Sequence, residues 1–206
     1  MPVAVDFFFD LSSPWTRLAF HNFQRLPEFA LTQTRWRPFL VGGVFNAVNP
    51  RVYEAREGDQ SRMLRSFDWL KQWAQLAGVA MNFPSPYHPL KSVHAMRCCC
   101  ALEDDQPALL QFAEAAFEAY FGAARNLDDP AELAVVAEAI GMAGAALIDQ
   151  AASQPIKDRL RANTEEAIAR GAFGSPTIFV AVEHMYFGND QLPLVAQALR
   201  AHARVE

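Results

Sequence analysis

The chain has 206 residues, 51% of them hydrophobic and 20% charged, which is enough apolar matter for a substantial core and excludes disorder as the default state. Its formal net charge of −5 and pI near 5.5 argue against recruitment of nucleic acid or an anionic membrane by bulk electrostatics, leaving a small molecule as the expected partner. No run approaches the roughly eighteen apolar residues that span a bilayer, and the start MPVAVDFFFD lacks the basic region and cleavage site of a secretory signal, so the expected address is cytoplasmic.

Val3–Phe9 reads VAVDFFF, an alternation running into aromatics that fits a strand buried on at least one face. Ser12, Ser13 and Pro14 follow. Proline favours the first helical position and serine the N-cap before it, so a helix is predicted over residues 14–26, ended by Pro27. Residues 30–37, ALTQTRWR, alternate well enough for a second strand.

From Pro50 to Gly171 the periodicity turns helical, most clearly at Leu109, Phe112, Ala113, Ala116, Phe117, Tyr120 and Phe121. Gly78 is expected to close one helix, residues 83–89 to form a proline-rich loop, Asp129-Pro130 to open another helix and Gly171 to stop the last. Five or six helices fit this span. The three cysteines, Cys98, Cys99 and Cys100, are adjacent and match neither a disulfide framework nor a metal-binding spacing, so they are read as small buried helix residues with no metal site. After Gly174-Ser175-Pro176 the chain returns to strand character at residues 177–182 and 184–187, and a last helix is predicted over 191–202.

The order is therefore βαβ, a helical insertion, then ββα. Neither end has enough strands for its own sheet, so the two must pair across the insertion. This gives an α/β fold with a discontinuous domain of residues 1–49 and 172–206 around an all-helical insertion of residues 50–171.

Three short segments could carry chemistry. Ser13 stands where a helix N-terminus offers free N–H groups and partial positive charge to an anion such as a thiolate; it is either a donor to that anion or an N-cap alone. Ser175-Pro176 is a candidate cis bond that turns the backbone of Ser175 outward toward an extended, peptide-like ligand. Asn189 and Asp190, at the mouth of the last helix, either cap it or grip an ammonium group. No hydrolase triad, GxGxxG or Walker sequence is present.

The order of elements resembles the DsbA group of disulfide oxidoreductases, with Ser13-Pro14-Trp15-Thr16 standing where that group has Cys-Pro-x-Cys. Loss of both thiols removes dithiol exchange. Four segments are similar to those of kappa-class glutathione transferases and 2-hydroxychromene-2-carboxylate isomerases: FFDLSSP at 8–14, RPFLVGGVF at 37–45, NTEEAIARG at 163–171 followed by FGSP at 173–176, and GND at 188–190.

That resemblance implies a thioredoxin-like fold, glutathione as cofactor, and a homodimer. It makes Ser13 the hydroxyl facing the glutathione sulfur, Ser175 with Pro176 the clamp on its cysteinyl unit, Asn49 and Arg62 polar contacts, and Asn189 with Asp190 the holders of its γ-glutamyl end. Trp15, Phe45 and Trp69 are candidates for an apolar substrate pocket. The chain departs from its relatives at Arg62, where a lysine is usual, at Lys91-Ser92 and at residues 121–126, all toward the acceptor side. The activity implied is isomerisation of an aromatic or conjugated carbonyl substrate by reversible thiolate addition, in aromatic-compound degradation. Transferase or peroxidase chemistry of the kappa type, and a binding module without catalysis, are the alternatives.

Overall fold

The two ends of the chain build one mixed sheet. β1 (Val3–Phe9) and β2 (Thr32–Pro38) run parallel in the computed structural model, which describes residues 2–48 and 60–204. Parallel neighbours need a crossover, and α1 (Pro14–Phe23) supplies it. β3 (Thr177–Val180) joins β1 antiparallel with Phe7 opposite Ile178, and β4 (His184–Phe187) closes the far edge, giving the order β2-β1-β3-β4. The fold is thioredoxin-like, of the DsbA type with helices inserted between the two halves of the sheet.

β1 lies in the interior of the sheet, covered on both faces, which explains its unbroken aromatic run. Phe7 and Phe9 enter the larger core, where the Trp36 ring centroid lies 4.8 Å from Phe7 and 4.4 Å from Phe20. Phe8 points to the opposite face, edge-on to Phe39 and Phe179. Burying each such ring contributes about 1.5–3 kcal/mol.

The remaining described helices are α2 (Val41–Val48), α3 (Gln60–Ala77), α4 (Val93–Ala101), α5 (Gln106–Phe117), α6 (Pro130–Ala139), α7 (Gly144–Ala151), α8 (Gln154–Ala169) and α9 (Leu192–Ala203). Gly78 and Gly171 follow α3 and α8 with φ of +69° and +93°, as their place after a helix predicts. Asp129 caps α6 by accepting from the Ala131 amide. After α5 the chain widens into a π-helical turn over Glu118–Gly122, which keeps Tyr120 and Phe121 buried.

Several boundaries differ from the sequence reading. α1 ends at Phe23 instead of residue 26, because Pro27–Leu31 forms a 3₁₀ turn that delays β2 to Thr32. β3 stops at Val180 instead of 182, since Ala181 and Val182 take left-handed φ values of 49° and 72° to turn the hairpin. α2 is a helix that the pattern did not announce, its glycine pair being poor helix formers. Its first amide, Val41 N–H, is held by the Asp10 carboxylate at 2.8 Å, and Gly43 lets it close on α8, for a Cβ there would lie 3.0 Å from Thr164 Cγ2.

Arg37 ties β2 to the helices. Its Nη2 donates to Glu166 Oε2 at 2.6 Å and Asn163 Oδ1 at 2.9 Å, while its Nε lies 3.0 Å from Glu103 Oε1 without hydrogen-bond alignment. Asn163 completes the cluster by donating to Pro38 O and Glu103 Oε2. Burial raises the Glu103 pKa despite the Asn163 hydrogen bond and the Arg37 charge, so this carboxylate depends on its partners.

Two outcomes follow for solution measurements. Arg37→Met strands Glu103 and should lose about 3–5 kcal/mol in urea unfolding, with part of the loss recovered when Glu103→Gln is added. A single variant as stable as the wild type would contradict this role. The Cys98, Cys99 and Cys100 thiols are all buried and their pKa values raised by desolvation, Cys98 to about 12. A disulfide reagent should therefore modify them only at the rate of unfolding, and rapid labelling of the native protein would show that α4 does not shield them.

Candidate functional site

The site is built where β1 ends. Asp10, fully buried, sends Oδ1 to the Ser12 amide at 2.9 Å and Oδ2 to the Val41 amide at 2.8 Å, so one carboxylate fixes the entry to α1 and the start of α2. Its own amide donates to Ser175 Oγ at 3.0 Å, reaching the loop before β3. Burial raises the Asp10 pKa above its ordinary value, opposed by the Ser12 and Val41 amides and the Ser92 hydroxyl.

Ser13 is the N-cap of α1. Its Oγ accepts from the Thr16 amide at 3.1 Å and also donates to the Ser175 carbonyl at 3.2 Å. Thr16 is fully buried and its Oγ1 meets Ser175 Oγ at 2.8 Å. Both hydroxyls of Ser13-Pro14-Trp15-Thr16 thus bind the same residue, Ser175, whose bond to Pro176 is cis. The cap reading of Ser13 and its place at a ligand surface are compatible, because a hydroxyl has one donor and two acceptor positions.

Two adjoining clefts open over this junction, sharing Trp15, Ser175 and Phe187. The first, about 560 Å³, is lined by Ser13, Trp15, Phe45, Phe67, Leu70, Phe83, His88 and Pro89 among others and is predominantly apolar. The second, about 350 Å³, is bounded by Trp15, Trp69 and Trp73 on one side and by Gly188, Asn189 and Asp190 on the other.

Of the residues singled out in the sequence, Ser13, Trp15, Phe45 and Ser175 meet at the apolar cleft. Trp69 does not join them there; it lines the second cleft with Trp15, Ser175, Asn189 and Asp190. Pro176 borders neither and acts through the backbone turn it imposes on Ser175. Asn49 lies outside the described residues, as does the side chain of Arg62, whose backbone belongs to α3.

Neither Asn189 nor Asp190 caps α9, since the N-cap position is Gln191 and no side chain bonds there. Asn189 is buried, its Oδ1 accepting from Asn22 Nδ2 at 2.8 Å. Asp190 is exposed in the second cleft. Gly188, at φ +90°, allows the turn, for a Cβ there would lie 2.8 Å from Asp190 Oδ1.

Asp10, Thr16, Asn22 and Trp73 escaped the sequence reading as site residues. Asp10 left a signal, being an acid at the end of an apolar strand two residues before the helix cap, where an aspartate bonds the amide two positions on. Asn22 and Trp73 left none, since their roles depend on partners far away in the chain. Among the described residues no group of three His, Cys, Asp or Glu side chains could hold a metal ion, and no helix is long and apolar enough to cross a membrane.

This arrangement can present a hydroxyl and the positive end of α1 to an anion at the mouth of an apolar cleft. Known proteins are similar to this chain over nearly its whole length. The chain is 28% identical over 211 residues to glutathione S-transferase kappa 1 of Rattus norvegicus, covering 96% of this chain and 91% of that protein. It is 28% identical over 200 residues to 2-hydroxychromene-2-carboxylate isomerase of Pseudomonas putida, covering 95% and 93%. A solved structure of 2-hydroxychromene-2-carboxylate isomerase superimposes with a TM-score of 0.78 at 26% identity over 98% of this chain and 96% of that one. The family model of the DSBA-like thioredoxin domain matches residues 4–200, and this chain therefore belongs to the DSBA-like thioredoxin family.

Proposed function

We propose that the protein is a glutathione-dependent isomerase of aromatic or conjugated carbonyl compounds, of the 2-hydroxychromene-2-carboxylate type. The observation that carries this reading is the position of Ser13, a hydroxyl at the N-terminus of α1 on the wall of the apolar cleft, beside Ser175. Its relatives by sequence are isomerases and glutathione transferases.

The residues present suit glutathione. The second cleft offers the Asp190 carboxylate for an ammonium group, indole faces for the body of a tripeptide, and the Ser175 backbone near Ser13. Asn49 and Arg62 are assigned to it on resemblance alone. Bound there, glutathione would supply a thiolate able to add to a conjugated substrate and leave again.

The chain's own contribution is electrostatic and positional. Ser13 already donates to the Ser175 carbonyl, so turning that donor onto a thiolate exchanges one hydrogen bond for a charge-assisted one while the Thr16 amide keeps the oxygen in place. Thr16 and Asp10 hold the Ser175 side chain from behind and limit rearrangement. Phe45, Phe67, Leu70 and Phe83 exclude water beside the donor, which strengthens it. A homodimer is part of the proposal, tested by light scattering at micromolar concentration, where a monomer would remove it.

Kappa-type transferase chemistry is the second reading, favoured by the equal identity to the rat enzyme. Turnover of 2-hydroxychromene-2-carboxylate with and without glutathione separates the two. Isomerisation that requires glutathione without consuming it supports the first reading; stable conjugate or oxidised glutathione supports the second.

Ser13→Ala is expected to slow turnover by roughly 10- to 150-fold, the worth of a charge-assisted hydrogen bond of about 1.5–3 kcal/mol, and to raise the pKa of bound glutathione in a thiolate absorbance titration. The fold should lose only about 1 kcal/mol, the value of the cap. Unchanged turnover and thiol pKa would reduce Ser13 to a helix cap.

Asp10 has a signed effect on stability. Because burial raises its pKa, the folded chain keeps this proton to a higher pH than the unfolded chain, which releases it near 3.8. Stability should thus fall as pH rises from about 3.8 through the raised value, a trend to which Glu103 adds in the same direction. In melting curves across that range, Asp10→Asn should flatten the slope; a slope identical to wild type would place the effect elsewhere.

A further inference from the structure

On the side of α2 away from Ser13 lies a separate groove of about 470 Å³ between α4 and α8. Val41 and Phe45 of α2 face the apolar cleft, whereas Gly43 and the preceding Leu40 face this groove. Its floor is apolar, formed by Leu40, Val93 and Leu160. Its rim is cationic.

Arg97 of α4 stands opposite Lys157 and Arg161 of α8, which lie one helical turn apart on the same face. Among the described residues neither Arg97 nor Lys157 has an ion pair, and Arg97 Nε is shielded from water with no hydrogen-bond partner. Arg161 has only a 3.6 Å contact with Asp158, both side chains being more than half exposed. Among the described residues the one carboxylate lining the groove is Glu165. Arg37, Arg159 and Arg170, from neighbouring parts of the fold, are by contrast ion-paired.

Two cationic side chains without ion pairs, facing each other above an apolar floor, call for a particular complement. We propose that this groove binds a small organic anion, with its carboxylate or phosphate between Arg97 and Lys157 and its apolar body on Val93 and Leu160. The planar fork of Arg97 suits either anionic group. The apolar floor selects against a bare inorganic ion. The assignment is independent of the glutathione reading, since the groove shares no lining residue with either cleft above Ser13.

The full chain is titrated with 1-naphthoate and 1-naphthyl phosphate, with inorganic phosphate and neutral 1-naphthamide as controls, and followed by calorimetry and amide shifts in ¹H–¹⁵N spectra. Saturable binding of at least one naphthyl anion is expected, with shifts at Gly43, Val93, Arg97 and Thr164, and the tighter of the two identifies the anionic group. Arg97→Gln should weaken it by about tenfold or more, the loss of a charge-assisted contact. Lys157→Gln, on the opposite wall and partly exposed, should also weaken it and serves if the first variant melts early. The proposal is overturned if naphthamide or inorganic phosphate binds as tightly as the naphthyl anions, if shifts are confined to residues around Ser13 and Ser175, or if neither substitution changes the affinity.

Discussion

The buried carboxylate of Asp10 is the point on which the architecture of the cleft turns. Its two oxygens accept from the amides of Ser12 and Val41, and its own amide donates to the Ser175 hydroxyl, so three segments distant in sequence meet at one residue. A charged group in such a place is costly unless hydrogen-bonded, and here the hydrogen bonds are the device that sets loop positions. α1, α2 and the turn before β3 would otherwise have no common reference.

The second constraint is the replacement of a reactive pair by a holding pair. A dithiol needs its two sulfurs free to exchange. The two hydroxyls here do something different, because Thr16 is sealed in the core against Ser175 Oγ while Ser13 binds the Ser175 carbonyl from the cleft side. The first hydroxyl is buried for positioning and the second is left at the surface where a ligand can reach it. This division is what the proposed function requires of the pair, one hydroxyl to position Ser175 and one to face the cleft.

The fold was largely legible because its strands carry strong local signals. VAVDFFF announces a strand buried on at least one face, Ser13-Pro14 announces a helix start, and the glycines at 78 and 171 announce helix ends. The misjudged parts were those decided by distant contacts. α2 depends on Asp10 and on Thr164 packing against Gly43, neither visible in VGGVFNAV. Trp69 was grouped with Phe45 on aromatic character alone, yet the packing of α3 puts it over the second cleft. From its place before a helix Asn189 reads as either a cap or a ligand contact, and the Asn22 side chain that its Oδ1 accepts from is visible only in the fold.

The discontinuity of the sheet also bears on how the molecule comes into being. Ser13 and Ser175 are 162 positions apart, and the helices between them leave the ribosome before β3 exists. Long-range pairing of this kind is formed late, after local helices. Until then the central strand β1 has β2 on one side and an open edge on the other, with three phenylalanines in its last three positions. A chain that stops before β3 therefore leaves this edge of β1 unpaired and lacks Phe187, Gly188, Asn189 and Asp190, which close the clefts on that side.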